Sequence, residues 1–337
     1  MSKRLAALLL AALLLAGCGA RDTAPAAATV FCMDTVMNLT AYGKNAPDAL
    51  RDVEAELERL DALLARGTEG SAVYTLNHEG SVIDGEVADL LRASGTISEA
   101  CDEAFDPTVA ALLDLWGFGS GAGEHRVPSH AEIAEVLSHV GAKHAHIDGE
   151  QVLLDLPTQL DLGGIAKGWA GARAREKLSE NGVTSAVLDL GGDVALLGSK
   201  PDGASWRVAI RDPAEGGSYL GVLETPGDQF IMTSGVYERY FEENGVRYHH
   251  ILDPKTGYPA SSDLVSATVV CEDGVWADAL ATACCVLGAE ESLALRQHLA
   301  DTMAFDLLLV TDGGEVRYTC EGFEPETGSG YTYEKVS

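Results

Sequence analysis

Past Gly141 the chain breaks into short β-rich runs, AHID, QVLLDL, TSAVLDL, WRVAIR, LGVLET, QFIMTS, RYHHIL and DLVSATVVC, separated by glycine and proline turns. Runs this short, rich in Val, Ile, Thr and aromatic residues, fit strands rather than helices. Before Gly141 the pattern is mostly helical. Leu50, Val53, Leu57, Leu60 and Leu64 recur at spacings of three and four, which predicts a helix with one apolar stripe. Further helices are expected from Glu86 to about Glu103 and from Pro128 to about Val140, with the turn-rich LWGFGSGAGEHRVP between them. Val30 to Tyr42 is expected as an opening strand, and 71–84 as loop and short strand. Two helices, Val275 to Leu287 and Glu290 to Leu299, precede a last pair of strands around Phe305 to Val310 and Glu315 to Tyr318. This segregation predicts an α+β fold built on an antiparallel or mixed sheet with packed helices, and it argues against a regular βαβ alternation.

The first residues stand outside that pattern. Lys3 and Arg4 precede an apolar run from Leu5 to Ala16 that is too short to span a bilayer, which predicts a signal peptide over 1–17. Leu15-Ala16-Gly17-Cys18 resembles a lipobox, so Cys18 is expected to carry a lipid and anchor the chain outside the cytoplasm to the bacterial cell membrane. The alternative is an ordinary secretory peptide with a chance cysteine. The stretch 18–29 is poor in large apolar residues and reads as a tether. The other six cysteines, Cys32, Cys101, Cys271, Cys284, Cys285 and Cys320, match no zinc spacing and read mainly as small core residues, one bridge being the alternative.

With 52 acidic against 23 basic residues, the net charge of −29 argues against nucleic acid as a partner and against a basic membrane-binding patch. A phosphate-bearing ligand would need local rescue from a lysine, a helix N-terminus or a divalent cation.

Four stretches carry candidate chemistry. DLGGIAKG at 161–168 fails as a nucleotide-triphosphate loop, because Trp169 stands where Ser or Thr should follow, and it does not match GxGxxG. A helix is expected from about Ile165 to Leu178, so Gly163 and Gly164 would let backbone approach a ligand at its N-terminus, with Asp161 and Lys167 beside it. A helix-capping Asp and a solvated Lys explain the same residues equally well. DLGG recurs at 189–192, in different surroundings, and reads as a strand-ending turn. In VWADALATACCVLG, Asp278 and Thr282 share one helix face and offer two hard oxygen ligands to Mg²⁺. Taken alone, they fit better a helix N-terminal Asp and a Thr bonded to its own turn. In RYHHILDPKTGYPA, His249 and His250 point to opposite faces of a strand, so at most one faces a site, and Asp253 initiates a turn. AFDPTV sets Phe105 beside a polar anchor, Asp106, ahead of a helix.

Five ordered motifs, MDTVM at 33–37, AFDPTV followed by LWGFG, DLGGIAKG, HHILDPKTGYP and ADALATA, together resemble the ApbE family of bacterial FAD:protein FMN transferases. The resemblance runs from about Val30 to Cys320 and implies a single α+β domain, here 30–325, leaving 326–337 as a tail. It implies FAD contacts from Met33, Ala104, Phe105, Asp106, Asp161, Lys167 and His250, the last close to the pyrophosphate. It also implies a Mg²⁺ held by the Gly164 carbonyl with Asp278 and Thr282, and catalysis by Asp278 with His250 as a base. The implied reaction splits FAD, joins FMN through a phosphoester to a Thr or Ser of an acceptor flavoprotein bearing Asp-x-x-Ser/Thr-Gly-Ala-Ser/Thr, and releases AMP. Two other readings use the same pattern: a Mg²⁺-dependent FAD pyrophosphatase, and a non-catalytic flavin-binding lipoprotein. The chain departs from the family at three places. Asp34 replaces a glycine in the opening motif, Ala281 stands where some relatives have a second metal-site carboxylate, and 66–77 lacks the aromatic residue that some members place against the flavin.

Overall fold

The computed structural model describes residues 24–119, 123–214 and 219–337; the signal-peptide run and Cys18 lie outside the described residues. In chain order, β1 (Pro25–Cys32) and β2 (Thr35–Tyr42) lead into α1 (Ala46–Leu64), α2 (Ala72–Glu79), β3 (Ser81–Ile83), α3 (Gly85–Ala100), α4 (Ala110–Trp116) and α5 (His130–Leu137). Next come β4 (Ala145–Asp148), β5 (Gln151–Leu154), α6 (Ala166–Glu180), β6 (Ala186–Asp189), β7 (Val194–Leu197), β8 (Trp206–Arg211), β9 (Tyr219–Thr225), β10 (Phe230–Gly235), β11 (Tyr240–Glu243) and β12 (Val246–His249). The chain closes with β13 (Leu264–Cys271), α7 (Gly274–Leu287), α8 (Ala289–Leu299), β14 (Phe305–Thr311), β15 (Glu315–Tyr318), β16 (Phe323–Pro325) and β17 (Thr332–Lys335).

Nine strands form the main sheet in the order β1-β2-β6-β7-β10-β13-β14-β15-β17. Its pairings are antiparallel except for the parallel β15–β17 edge, so the sheet is mixed, as the sequence pattern predicts. Successive side chains of β13 and β14 go to opposite faces. Val269, Leu307 and Leu309 join a core with α1, α6 and α7, whereas Val270, Leu308 and Val310 join Trp206, Ile210 and Leu223 of the small β16-β9-β8 sheet. Both faces are therefore covered, and this is why DLVSATVVC and FDLLLVT read as nearly unbroken apolar runs. The predicted stripe of α1 is buried at Leu50, Val53, Leu57, Leu60 and Leu64.

Four expectations are corrected. The single opening strand is a hairpin that reverses at Met33 and Asp34, whose φ values of 51° and 57° are those of a two-residue turn joining Cys32 to Thr35. Apolar residues on both sides of the turn hid it. Asp34 takes up a left-handed backbone that glycine would adopt freely and that Asp tolerates better than most residues. The stretch 71–84 contains a helix, α2, started by Ser71, whose Oγ accepts from the Tyr74 amide at 2.9 Å, and stopped by Gly80 at φ 74°. The strand β1 begins at Pro25, inside the stretch read as tether, and β17 ties the C-terminal tail to the sheet. The six described cysteines are buried free thiols.

Candidate active site

The site begins where two helices cross. At Gly168 a Cβ would lie 2.0 Å from the Gly274 carbonyl oxygen, and at Gly274 one would lie 2.6 Å from that of Gly168. Only glycine at both positions lets α6 and α7 approach this closely. Asp273 fixes the start of α7 by accepting from the Val275 and Trp276 amides. One turn further along, Asp278 reaches the N-terminus of α6 and accepts from the Gly168 amide at 2.8 Å. The α6 start has no side-chain cap of its own, so a carboxylate from another helix takes that place. Asp278 is 4% exposed; burial raises its pKa, against the pull of the Lys167 charge.

Lys167, in the first turn of α6, pairs with Asp193, which stands at the end of the second DLGG loop. Burial works to lower the Lys167 pKa, but the charges of Asp193 and Asp278 outweigh it and hold the ammonium above its ordinary value. Asp193 is 2% exposed, and its other oxygen accepts from the Thr233 amide at 2.7 Å. Two buried carboxylates thus face one ammonium, and the cluster keeps a negative charge that a bound cation would offset.

Thr282 lies one turn beyond Asp278, its hydroxyl 3.1 Å from that of Ser234. A Cβ at Gly164 would come within 3.1 Å of Thr282 Oγ1 and 3.3 Å of the Phe105 ring, so the glycine loop is pressed against both. Gly164 thus lies against Thr282, and Asp278 stands one turn before Thr282 on α7; a carbonyl, a carboxylate and a hydroxyl from these residues are oxygen ligands of the kind a hard divalent cation takes. Among the described residues no group of three His, Cys, Asp or Glu side chains forms a metal site. A cation here would rest on a single carboxylate and take its other ligands from water or from phosphate oxygens.

The remaining predicted residues are held by bonds to their own neighbours. Asp161 accepts from the Gly163 amide at 2.8 Å and from Arg66 at 3.2 Å. Asp106 is spent internally: its buried carboxylate accepts from the Thr108 amide and hydroxyl, and that hydroxyl accepts from the Gly141 amide. Its side chain builds the loop that carries Ala104 and Phe105, and burial raises its pKa. Met33 sits at the hairpin turn, its amide donating to Asp61 at 3.1 Å, and neighbouring Thr35 abuts Gly191 just before Asp193. In the 66–77 segment Tyr74 stacks on His78 of its own helix.

The histidine pair divides as predicted. His249 is buried with Nε2 3.1 Å from the Ala260 carbonyl. His250 is half-buried and donates through Nδ1 to the Arg239 carbonyl at 3.2 Å, which leaves Nε2 with its lone pair. Burial, with the Arg239 charge adding to it, pushes the imidazole pKa down to about 3, so the ring is neutral.

Sequence reasoning missed Asp193, Ser234, Glu238 and Arg239. The last three belong to the segment TSGVYER, which leaves β10 and touches the whole site: Thr233 holds Asp193, Ser234 meets Thr282, and Arg239 holds His250. The Glu238 side chain is exposed, but the protein packed around it withdraws enough water to raise its pKa, and the nearby Lys167 charge opposes that. The available signal was a Thr-Ser pair interrupting an apolar strand, and an Asp directly after DLGG. A separate cleft of about 1180 Å³ opens behind α6, beside Trp169, Phe230 and Met303; none of Asp161, Gly164, Lys167, Asp278 or Thr282 lines it.

Comparison with known proteins places this arrangement among relatives. The profile of the ApbE family matches residues 33–305. The FAD:protein FMN transferase of Vibrio cholerae is 31% identical over 279 residues, covering 81% of this chain and 83% of the relative. That of Treponema pallidum is 35% identical over 270 residues, covering 74% of each. The crystal structure of the ApbE protein from Thermotoga maritima superposes with a TM-score of 0.78 at 33% identity, over 90% of this chain and 97% of that one. The apo flavinyl transferase ApbE of Pseudomonas stutzeri gives 0.74 at 32%, over 85% and 91%.

Proposed function

The chain belongs to the ApbE family, and from that premise we infer that it is an FAD:protein FMN transferase. The observation that carries this reading is the packing at the N-terminus of α6, where Gly164 lies against Thr282, Asp278 accepts from the Gly168 amide, and Lys167 pairs with Asp193. A pyrophosphate in a chain this acidic needs local positive charge, and a divalent cation held beside the buried carboxylates would supply it.

In the proposed reaction a Ser or Thr hydroxyl of an acceptor protein attacks the phosphorus on the FMN side of FAD. One P–O bond forms to that oxygen, the pyrophosphate P–O bond breaks, and AMP departs with the electron pair. Met33, Ala104, Phe105 and Asp161 would hold the dinucleotide, with Asp106 acting through the loop it supports. Gly164, Asp278 and Thr282 would hold Mg²⁺, which when bound neutralises phosphate oxygens. Position and charge then supply most of the catalysis. The free Nε2 of His250 would take the hydroxyl proton. The acceptor would present the pattern Asp-x-x-Ser/Thr-Gly-Ala-Ser/Thr. The lipobox supports an anchor at Cys18, which would hold the enzyme at the outer side of the cell membrane; palmitate labelling of wild type but not of Cys18→Ser tests it.

Purified protein with FAD, Mg²⁺ and an acceptor carrying that pattern should yield a fluorescent flavin–protein band and one AMP per label. AMP with free FMN and no labelled acceptor would make the protein a pyrophosphatase, and unchanged FAD would leave a binding protein. Asp278→Ala should abolish turnover. Normal turnover in that variant would remove the metal assignment.

A further inference from the structure

In this acidic chain every described arginine is ion-paired with a carboxylate except Arg211 and Arg239. Arg211 lies over the Tyr237 ring, 5.7 Å from its centroid. Arg239 has one long hydrogen bond, to the Phe118 carbonyl at 3.4 Å, and is otherwise exposed. A guanidinium surrounded by excess negative charge and still without a carboxylate partner among the described residues can receive another anion.

Its position gives that freedom a use. The Arg239 carbonyl accepts from both the His250 amide, at 3.1 Å, and the His250 ring, so the guanidinium belongs to the residue that orients the proposed base. Its charge acts on His250 and on Glu238, and Glu238 in turn feels Lys167. Lys167 itself is committed: Asp193 neutralises it and Asp278 adds a further negative charge. The buried trio therefore offers no net positive charge to a pyrophosphate diester, which carries two negative ones. A divalent cation offsets part of this total. Among the described residues Arg239 is a cation near this cluster that has no carboxylate partner.

We propose that the Arg239 guanidinium binds a pyrophosphate oxygen of FAD and stabilises the charge that gathers on the AMP phosphate as it leaves. This rests on the reading of the site as a flavin transferase. In the step itself the acceptor oxygen bonds to the FMN phosphorus, its proton passes to His250 Nε2, and the bridging oxygen departs with AMP. Arg239 forms and breaks no covalent bond. Its planar donors match a phosphate in two directions at once, which a lysine cannot reproduce.

The test uses Arg239→Gln and Arg239→Lys beside wild type, with thermal melting to establish folding; an exposed side chain with one weak bond should leave the melt unchanged. FAD affinity is read by flavin fluorescence in EDTA, without Mg²⁺, and transfer to the acceptor is read separately. Arg239→Gln should weaken FAD binding about tenfold or more, leave riboflavin binding unchanged, and lower kcat about a hundredfold. Arg239→Lys should recover part of the affinity and less of kcat. Unchanged FAD affinity and kcat would overturn the proposal, and so would a rise confined to the KM for the acceptor, which would assign the guanidinium to the protein substrate. Equal losses for riboflavin and FAD would show a structural role and overturn it too. A wild type that neither binds nor consumes FAD would instead overturn the functional reading beneath it.

Discussion

The tetrapeptide Asp-Leu-Gly-Gly occurs twice, at 161–164 and 189–192, and the two copies share one local device but not one backbone. In the first, Asp161 accepts from the Gly163 amide at 2.8 Å; in the second, Asp189 accepts from the Gly191 and Gly192 amides at 3.1 and 2.8 Å. Both are Asp-closed turns. Neither Gly163 nor Gly164 has a positive φ, and the chain runs on into α6. Gly191 and Gly192, at φ 86° and 103°, turn it back into the β6–β7 hairpin. The residues that follow make the difference, since Ile-Ala-Lys-Gly continues as helix and Asp-Val-Ala-Leu as strand. Yet both copies deliver to one place, the first Lys167 and the second its counter-ion Asp193.

The comparison can be broken most severely just past the first loop. Gly168→Ala drives a Cβ into the Gly274 backbone, with no flexible side chain to yield, and should cost about 3 kcal/mol or more of stability. Denaturant unfolding measures this, and flavin transfer should vanish with the helix crossing. Next in size, Asp193→Ala strips Lys167 of its partner and should cost about 2 kcal/mol with near-complete loss of transfer. Asp189→Ala, which removes only a turn closure, should cost about 1 kcal/mol and retain activity. Equal losses in the two variants would mean that the second loop serves only as a turn.

The matched glycines sharpen the contrast. Gly191→Ala meets both a positive φ and the Thr35 side chain at 2.1 Å, and should cost about 2 kcal/mol. Gly163→Ala meets only the movable Asp161 carboxylate at 2.9 Å, with no positive φ, and should cost less than about 1 kcal/mol. Calorimetric melts of the two variants should differ accordingly, and a reversed order would contradict the backbone assigned to the loops.

Where a segment carries its own period, the sequence was legible. The stripe of α1 and the apolar runs of β13 and β14 follow from local spacing, because a single buried face or two buried faces dictate the pattern. The short helix α2 and the Met33–Asp34 turn were not legible: one has two turns to show a period, and the other places two non-glycine residues at positive φ. At the site, Asp278 and Thr282 could be placed on one helix face, but their choice between a local cap and a metal ligand stayed open. Asp278 proved to be a cap for a different helix, 110 residues away along the chain.

By itself the sequence determined the α+β class, the excess of negative charge, the ordered motifs and the spacing that sets a carboxylate and a hydroxyl on one face of α7. These are local or additive properties. Only the tertiary structure decided that Asp278 meets α6, that the second DLGG loop supplies Asp193 to Lys167, and that the Arg239 carbonyl holds His250. Those contacts depend on how a glycine–glycine helix crossing and a nine-stranded sheet fold distant residues together, and a separation in space leaves no period in the chain.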